Sequence, residues 1–395
     1  MDSGSVAPAT RLSSEAGTNV ISFAVTGVSS AVGRAIVARL DAEPSVTRIV
    51  GIDRQPPPMP PAKLDFVRAD LRDPALARVL GGVDVLVHQG APDEVGPSGA
   101  QAYAMTTHGT RHVLEAALAA RVGTVVHLSS ALVYGARETN PVPLTEDVPA
   151  RAGPQYPPAH RALVTEESVR SFAASHPDRR VVVLRPVPVL GPGVDSTVTR
   201  HLESPLLPMV RGFDPPVQFL DIDDLAAAVH VVAQDARASG VFNVAAEGWL
   251  TTSDVRWLLA RPTLHLPFQV AAGLAAVLHR CGLLTTAPGA LEYLMHPWVV
   301  DTTRLHALGW SPAWGQRDIL HRFVSDHGQW LSVGRIHVRT ARVVAGMLGA
   351  GATVGLAAAW LTWRRWLAPR WRPRAWCGLP PTRRRPGRSS APEPS

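Results

Sequence analysis

The stretch 21–33, Ile-Ser-Phe-Ala-Val-Thr-Gly-Val-Ser-Ser-Ala-Val-Gly, constrains the fold of this chain more than any other. Residues 23–25 read as a buried strand, and Thr26-Gly27 turns the chain sharply. Gly33 then falls in the first turns of a helix running through Ala35, Ile36, Val37 and Leu40. A strand feeding a helix through such a turn aims free backbone N–H groups and the positive helix end at an anion, usually a dinucleotide pyrophosphate. Gly27 lets the backbone approach that group, and Gly33 lets helix and strand pack closely. Ser30 replaces the usual middle glycine, so the pattern is Thr-Gly-x-x-Ser-x-x-Gly. Thr26, Gly27, Ser30, Ala31, Val32 and Gly33 are the candidate pyrophosphate segment. Glycine-punctuated turns also occur in purely structural βα units, so the turn gains weight only from the acid and the strands downstream of it.

Residues 46–53 read as a second strand ending in Asp53. An acid about 20 residues beyond the glycine turn can accept hydrogen bonds from ribose hydroxyls and repels a 2′-phosphate. This favours NAD, while Arg54 next door keeps NADP open. The proline run 56–61 is a loop, and 64–68 a third strand. Asp70 and Leu71 could flank an adenine ring, and Asp73-Pro74 starts a helix with a good N-cap and a proline at its first position. A fourth strand at 83–88 opens onto Gln89-Gly90-Ala91, small residues of the kind that let a cofactor lie over the sheet. A long helix at 100–121, a fifth strand at 124–128 and a sixth at 181–184 come next. Strands alternating with helices imply a parallel, doubly wound α/β sheet.

The net charge of +7 resembles a nucleic-acid footprint until it is located. Residues 364–395 hold nine Arg and one acid, Glu393, which leaves the preceding residues close to neutral. The body is not basic, and nucleic acid is not an expected partner. The two cysteines, Cys281 and Cys377, fit no metal spacing and suit a reducing compartment. Residues 1–19 are small and polar, with no apolar run of the secretory kind, and read as a disordered tail.

The glycine turn, Asp53, Asp70-Leu71 and Ser129-Ser130-x-x-Val133-Tyr134-Gly135 occur in the order seen in extended short-chain dehydrogenases/reductases. More narrowly, the chain resembles the NAD-dependent epimerase/dehydratase family. Further matches are Leu184-Arg185-Pro186 with Gly191-Pro192-Gly193, the run from Gln218 to Asp224, and Gly240 to Asn243. Asp301-Thr-Thr-Arg304 with Leu308-Gly309-Trp310 is like the family's late helix. The resemblance covers roughly residues 20–330. It implies a Rossmann-like fold, bound NAD with Pro186 beside it, and a small hydroxyl-bearing substrate.

The catalytic apparatus departs from that family. There, a tyrosine and a lysine four residues later share a helix face beside a serine placed after the fifth strand. The lysine lowers the tyrosine's pKa, and the tyrosine moves a proton as hydride transfers. Ser130 matches the serine and Tyr156 the tyrosine, but His160 stands in the lysine's place. Lys63 is the chain's one lysine, so no other register restores the pair. Pro157 and Pro158 push Tyr156 out of the helical region, ahead of the helix.

On the substrate side, Pro188 takes the place where nucleotide-sugar enzymes of the family often carry asparagine. The Leu-Arg-Pro…Gly-Pro-Gly form is equally like the 3β-hydroxysteroid dehydrogenase branch. The apolar stretch 264–278 reads as core or a substrate-facing helix.

Residues 343–363 contain no charge, long enough for a bilayer core, with Gly351-x-x-x-Gly355 suited to helix pairing. Trp360, Trp363, Trp366 and Trp371 gather near its far end, ahead of the Arg-rich tail.

The expectation is therefore a dinucleotide-binding domain at 20–193, a substrate subdomain at 194–330, a linker at 331–342, a transmembrane helix at 343–363 and an Arg/Pro-rich tail at 364–395. The helix and tail would meet membrane lipid, with the catalytic domain facing the cytoplasm; a homodimer stays open. Three functions stay open: an epimerase/dehydratase-like oxidoreductase, a hydroxysteroid or lipid-alcohol dehydrogenase, and an NAD-binding sensor or scaffold that has lost the chemistry.

Overall fold

The structure, a computed structural model, describes residues 20–90, 100–281, 284, 287–327, 330–333 and 336–339. Its first half runs β1 (Ile21–Thr26), α1 (Ala31–Asp41), β2 (Val46–Asp53), β3 (Leu64–Arg68), α2 (Leu76–Val79), β4 (Val85–Gln89), α3 (Ala100–Ala119), β5 (Thr124–Leu128), α4 (Pro157–Ser175) and β6 (Arg180–Pro186). Next come β7 (Val189–Leu190), α5 (Thr197–Leu202), β8 (Leu207–Val210), β9 (Pro216–Val217), β10 (Leu220–Asp221), α6 (Ile222–Gln234) and β11 (Gly240–Val244). The last elements are β12 (Leu250–Thr251), α7 (Thr252–Leu259), β13 (Thr263–Leu266), α8 (Phe268–Arg280), α9 (Thr303–His306), α10 (Gln316–His327), β14 (Trp330–Val333) and β15 (Ile336–Arg339).

One seven-stranded parallel sheet, in the order β11-β6-β5-β4-β1-β2-β3, carries the domain. Because helices cover both faces, the inner strands are apolar almost throughout, as a doubly covered parallel sheet requires. Phe23 and Val25 join Ile36, Leu40 and Val229 in the core under α1 and α6. Ala24, Leu86 and Val125 face the other way, toward Val113 and Leu114 of α3 and Val169 of α4. The chain order reverses between β1 and β4, and the crevice beyond their carboxyl ends is where open α/β sheets bind ligands.

α1 forms because its parts agree. Ser30 caps it by accepting from the Gly33 N–H at 2.9 Å, and Ile36, Val37 and Leu40 make a stripe buried against the sheet. Fully burying a side chain of that size contributes about 1.5–3 kcal/mol. Gly33 is required by contact, since a Cβ there would lie 2.1 Å from the Gly27 carbonyl oxygen.

Several expected boundaries move. The helix expected at Asp73-Pro74 begins at Leu76, because the Asp73 carboxylate turns back onto the Ala75 N–H at 2.8 Å. The fourth strand begins at Val85, after Gly82 takes a φ of +76° and Asp84 pins Ser22. The sixth extends to Pro186, where β11 pairs with it.

The lobe built from residues beyond β6 has its own core of Leu202, Leu207, Phe219, Val255, Leu320 and Phe323. The expectation for 264–278 is corrected here. Pro267 ends β13 and precedes α8, and the helix buries only Ala271 while Leu264, Phe268, Val270, Leu274 and Val277 stay exposed. It is a surface helix, not core. No helix among the described residues is long and apolar enough to cross a membrane, and the segments 1–19 and 343–395 lie outside them.

Candidate active site

At the crevice between β1 and β4 the sequence-expected residues converge. Thr26, Gly27, Ser30, Asp53, Arg54, Asp70, Leu71, Gln89 and Gly90 line one cavity. Gly27 holds a φ of +74°, which carries the chain from strand into turn. The Gln89 side chain braces this turn from behind: Nε2 donates to the carbonyls of Thr26 and Gly27 at 3.0 and 3.2 Å, and Oε1 accepts from Ser30 Oγ at 3.1 Å. Ser30 and Gly33 spend their amides inside the turn, whereas the N–H groups of Ala31 and Val32 have no partner among the described residues. They form the positive end of α1 beside the Gly27–Ser30 wall. Ala31, Val32 and Gly33 therefore act through backbone and packing and do not line the cavity.

Asp53 at the end of β2 is half-buried. Its Oδ2 accepts from the Ser29 N–H at 2.9 Å and the Ser29 hydroxyl at 2.5 Å, and its Oδ1 from the Arg54 N–H at 2.6 Å. Oδ1 also accepts a long bond from the Gln55 N–H at 3.5 Å, so the carboxylate's roughly four acceptor positions are all occupied and a ligand hydroxyl would replace that long contact. Arg54 reaches Asp70, which is also bound by Arg72 through Nε at 2.8 Å. Hydrogen bonds from Arg72, and then from Arg54, outweigh partial burial and hold the Asp70 carboxyl well below the usual carboxylate range. Asp70 is thus shared by two guanidiniums, and the Arg54–Asp70–Arg72 cluster keeps one net positive charge at the rim.

The sequence reading missed Ile52, Ala69, His88, Thr106 and Thr110 in the same wall. His88 is fully buried, its Nδ1 2.9 Å from Thr26 Oγ1 and its Nε2 2.9 Å from Thr110 Oγ1. His127, one strand over, packs 5.6 Å from it, and neither of its ring nitrogens has a partner among the described residues. Burial pushes both pKa values down to about 3, so both rings are neutral at ordinary pH. A histidine inside an apolar strand run has no periodic signal of its own, which is why they were invisible. Besides Ala31, Val32 and Gly33, two more residues expected here are not in this wall: Pro186 ends β6 and pairs with Val244, and Ala91 lies outside the described residues.

Ser130, Tyr156 and His160 stand on the other side of β5. Ser130 caps the short helical turn Ala131–Tyr134 by accepting from the Leu132 N–H at 3.2 Å. Behind it lies a buried polar network. Arg185 donates to Glu166 through Nε at 3.0 Å, Ser129 Oγ donates to Glu166 at 2.7 Å, and the Arg185 guanidinium lies 4.6 Å over the Tyr134 ring. The Tyr134 hydroxyl in turn donates to Asn243 at 2.8 Å. This network ties β5, α4, β6 and β11 together beneath the serine.

Tyr156 is the N-cap of α4, with φ −119° and ψ 90°, and Pro157 and Pro158 form the first helical positions, as their chemistry dictates. Its ring is buried, 5.1 Å from that of Tyr293, which donates to the Leu132 carbonyl at 2.9 Å. The His160 N–H donates to the Tyr156 carbonyl at 3.1 Å, so the first helical bond spans the pair, but the His160 ring turns to the Ala152 carbonyl at 3.4 Å.

Tyr156 lines a second cavity, of about 260 Å³, between the sheet and the lobe. Val198, Val217, Val255, Leu291, Leu294 and Trp298 supply much of its wall, and Pro188 is part of it. No group of His, Cys, Asp and Glu able to hold a metal ion occurs among the described residues.

These features define a doubly wound fold of the nucleotide-binding kind, with Ser130 just after the fifth strand and Tyr156 at the start of α4; Tyr156 lines the second cavity and Ser130 lines neither. The NAD dependent epimerase/dehydratase family model matches residues 23–245, more than half of the chain, and the protein belongs to that family. An uncharacterized protein of Mycobacterium tuberculosis is 29% identical over 346 residues, 85% of this chain and 90% of its own. Among solved structures, the UDP-glucuronic acid 4-epimerase of Bacillus cereus, in complex with UDP-glucuronic acid and NAD, superposes with a TM-score of 0.63 at 19% identity, covering 78% of this chain and 99% of its own. The dTDP-glucose 4,6-dehydratase of Streptomyces venezuelae, with NAD bound, gives 0.62 at 21% identity, covering 78% and 97%.

Proposed function

We propose that this protein is an NAD-binding, epimerase/dehydratase-like oxidoreductase acting on a hydroxyl-bearing substrate. The observation that carries the reading is the joint placement of the Gly27–Gly33 turn and Asp53 around one cavity, with Tyr156 in a second beside it. The residues present fit the dinucleotide. The unpartnered N–H groups of Ala31 and Val32 suit its pyrophosphate, and Asp53, whose Oδ1 holds the Gln55 N–H only at 3.5 Å, suits a ribose hydroxyl in its place. NAD is preferred over NADP because Asp53 repels a 2′-phosphate. When bound, NAD supplies the hydride acceptor.

The chain's own residues orient the substrate and handle its proton. Ser130 donates a hydrogen bond to the reacting oxygen, and Tyr156 takes the proton from it. His160 stands where a lysine would hold its ammonium, and Arg161, one position on, is the cation the helix offers instead, so the base is weaker near neutrality than a lysine-assisted tyrosine. The solved neighbours named above hold nucleotide sugars, which makes UDP- and dTDP-linked sugars the first compounds to test.

The uncharged run 343–363 and the arginines after it support a membrane anchor; the cofactor fold, not the arginine tail, supports a cytoplasmic catalytic domain, since one crossing cannot put both on that side. Carbonate washing of membranes holding the full chain tests this: a spanning segment stays, and a surface-bound tail comes off.

For the cofactor, titration calorimetry of the purified full chain should show NAD(H) binding more tightly than NADP(H). Tighter NADP(H) binding defeats the Asp53 assignment. Absence of binding to either defeats the oxidoreductase reading.

A further inference from the structure

The surface of the second lobe is unusual in what it leaves uncovered. On α8, Val270, Leu274 and Val277 are 52%, 45% and 58% exposed, and their spacing of four and three residues places them on one stripe. Leu264 on β13 and Phe268 at the helix start, at 39% and 43%, are also exposed, Phe268 on the flank of the helix away from the stripe. An apolar stripe left bare on a surface helix is a candidate interaction site.

We propose that this face of α8 rests in a lipid surface, and that the apolar cavity behind it admits an amphiphilic alcohol from that surface. The substrate part rests on the oxidoreductase reading above; the surface part does not.

Four observations name lipid as the occupant. Between Asp254 and Glu292 the chain carries no acid, and although Arg261 is spent on the Glu203 and Ser204 carbonyls, Arg256 and Arg280 are exposed and suit anionic headgroups. Ala275, on the same helix, lines the cavity that Tyr156 also lines, so the helix forms part of the cavity wall. Ser332 lines that cavity too, so the last described part of the chain leaves from beside it. Finally, Val343, the first residue of the 21-residue uncharged run, lies four residues beyond Arg339, at most about 14 Å of extended chain.

The cavity's polar groups say what it holds. Arg200, the one arginine in its described wall, is bound twice by Asp195, at 2.6 and 2.8 Å. The Gln218 amide serves the Gly248 carbonyl and both backbone groups of Val300, and Thr252 donates to the Pro215 carbonyl. No cation in this wall is left unengaged for a diphosphate, whereas an apolar body meets valine, leucine and tryptophan. A hydroxyl on that body would lie at the Tyr156 end.

The test uses the full chain with Cys377→Ser, so that Cys281, exposed just past α8, is the one thiol for an environment-sensitive fluorophore. Protein is added to vesicles of phosphatidylcholine and phosphatidylglycerol whose acyl chains are brominated. Quenching of the fluorophore, lost when Leu274→Asp and Val277→Asp are combined, is the expected result. Those side chains are exposed, so the variant should fold, and NAD binding checks that it does. An unquenched fluorophore overturns the surface proposal, as does a Cys281 disulfide between two copies in place of quenching.

For the cavity, the probe is dehydroergosterol, a fluorescent polycyclic secondary alcohol, read by energy transfer from the protein's tryptophans. Binding that is lost in Leu291→Trp and not displaced by UDP-glucose is expected. Displacement by UDP-glucose, or no sterol binding in protein that binds NAD(H), overturns the substrate part. If NAD(H) binding is itself absent, it is the oxidoreductase reading that has failed.

Discussion

The two cavities on either side of β5 were built under different rules. The one at the β1–β4 crevice is polar, local and assembled from short sequence motifs: a glycine turn, an acid at the end of β2, and a glutamine at the end of β4 that braces the turn. The other is apolar and assembled from pieces as distant as Leu132 and Ser332. The first keeps what a dinucleotide needs, while the second has lost the lysine that normally charges its tyrosine. A fold can thus preserve cofactor recognition strictly while its substrate side drifts, because backbone amides bind the pyrophosphate of any dinucleotide but side chains must suit one substrate.

The largest expected effect lies where the two regions meet. Tyr156→Phe should lower turnover by about 10²–10⁴-fold with NAD(H) affinity unchanged. In the unmodified chain the rate should rise into the alkaline range, because no fixed ammonium assists the tyrosine. A stopped-flow pH series checks both, and fast turnover at neutrality that depends on Tyr156 would break the comparison.

Next comes the polar network beneath Ser130. Glu166→Ala leaves the Arg185 guanidinium, 2% exposed, without its carboxylate. Stranding one member of such a pair costs about 3–5 kcal/mol, read as a lower urea midpoint. Glu166→Leu with Arg185→Met should recover much of that loss.

The buried histidines on the cofactor side predict acid sensitivity. The folded pKa values of His88 and His127 are depressed to about 3 from an ordinary 6.5, so the unfolded chain takes up their protons first. Their contribution is complete above the unfolded value and is lost as pH falls from about 6.5 toward 3, at up to about 2.7 kcal/mol per pH unit for the two together. Thermal melts of His127→Phe and of the unmodified chain across that window should diverge. Parallel curves would remove His127 from the account.

The smallest effect sharpens the cofactor side alone. Asp53→Ala should weaken NAD binding by about 1.5–3 kcal/mol, the range for a hydrogen bond to a charged group. It should also narrow the preference over NADP. An unchanged preference would move the discrimination to Arg54 and Asp70.

Most of the sheet was legible because a buried parallel strand leaves a continuous apolar run and a βα turn leaves glycine at set offsets. The cofactor wall was legible for the same reason: Thr26, Gly27, Ser30 and Asp53 are neighbours of those turns. Tyr156 was legible only through the two prolines and its distance from Ser130. His88, Thr106 and Thr110 were not, since a strand residue and two helix residues meet only across the sheet face. Of the two readings of 264–278, core failed because apolar content alone does not say which side of a helix the fold leaves bare, whereas a helix facing the second cavity agrees with Ala275 in its wall.

By itself, the sequence determined the alternation of strands and helices, the glycine turn, the acid at the end of β2 and the missing lysine. Each of these is local, set by backbone chemistry or by a residue that is present or absent within a few positions. Tertiary structure alone decided that Arg54 shares Asp70 with Arg72, that Arg185 and Glu166 pair in the dark behind Ser130, and that the wall around Tyr156 is apolar. Those facts depend on which side chains meet across tens or hundreds of residues, and the packing of helices on a twisted sheet, not the order of the letters, sets who meets whom.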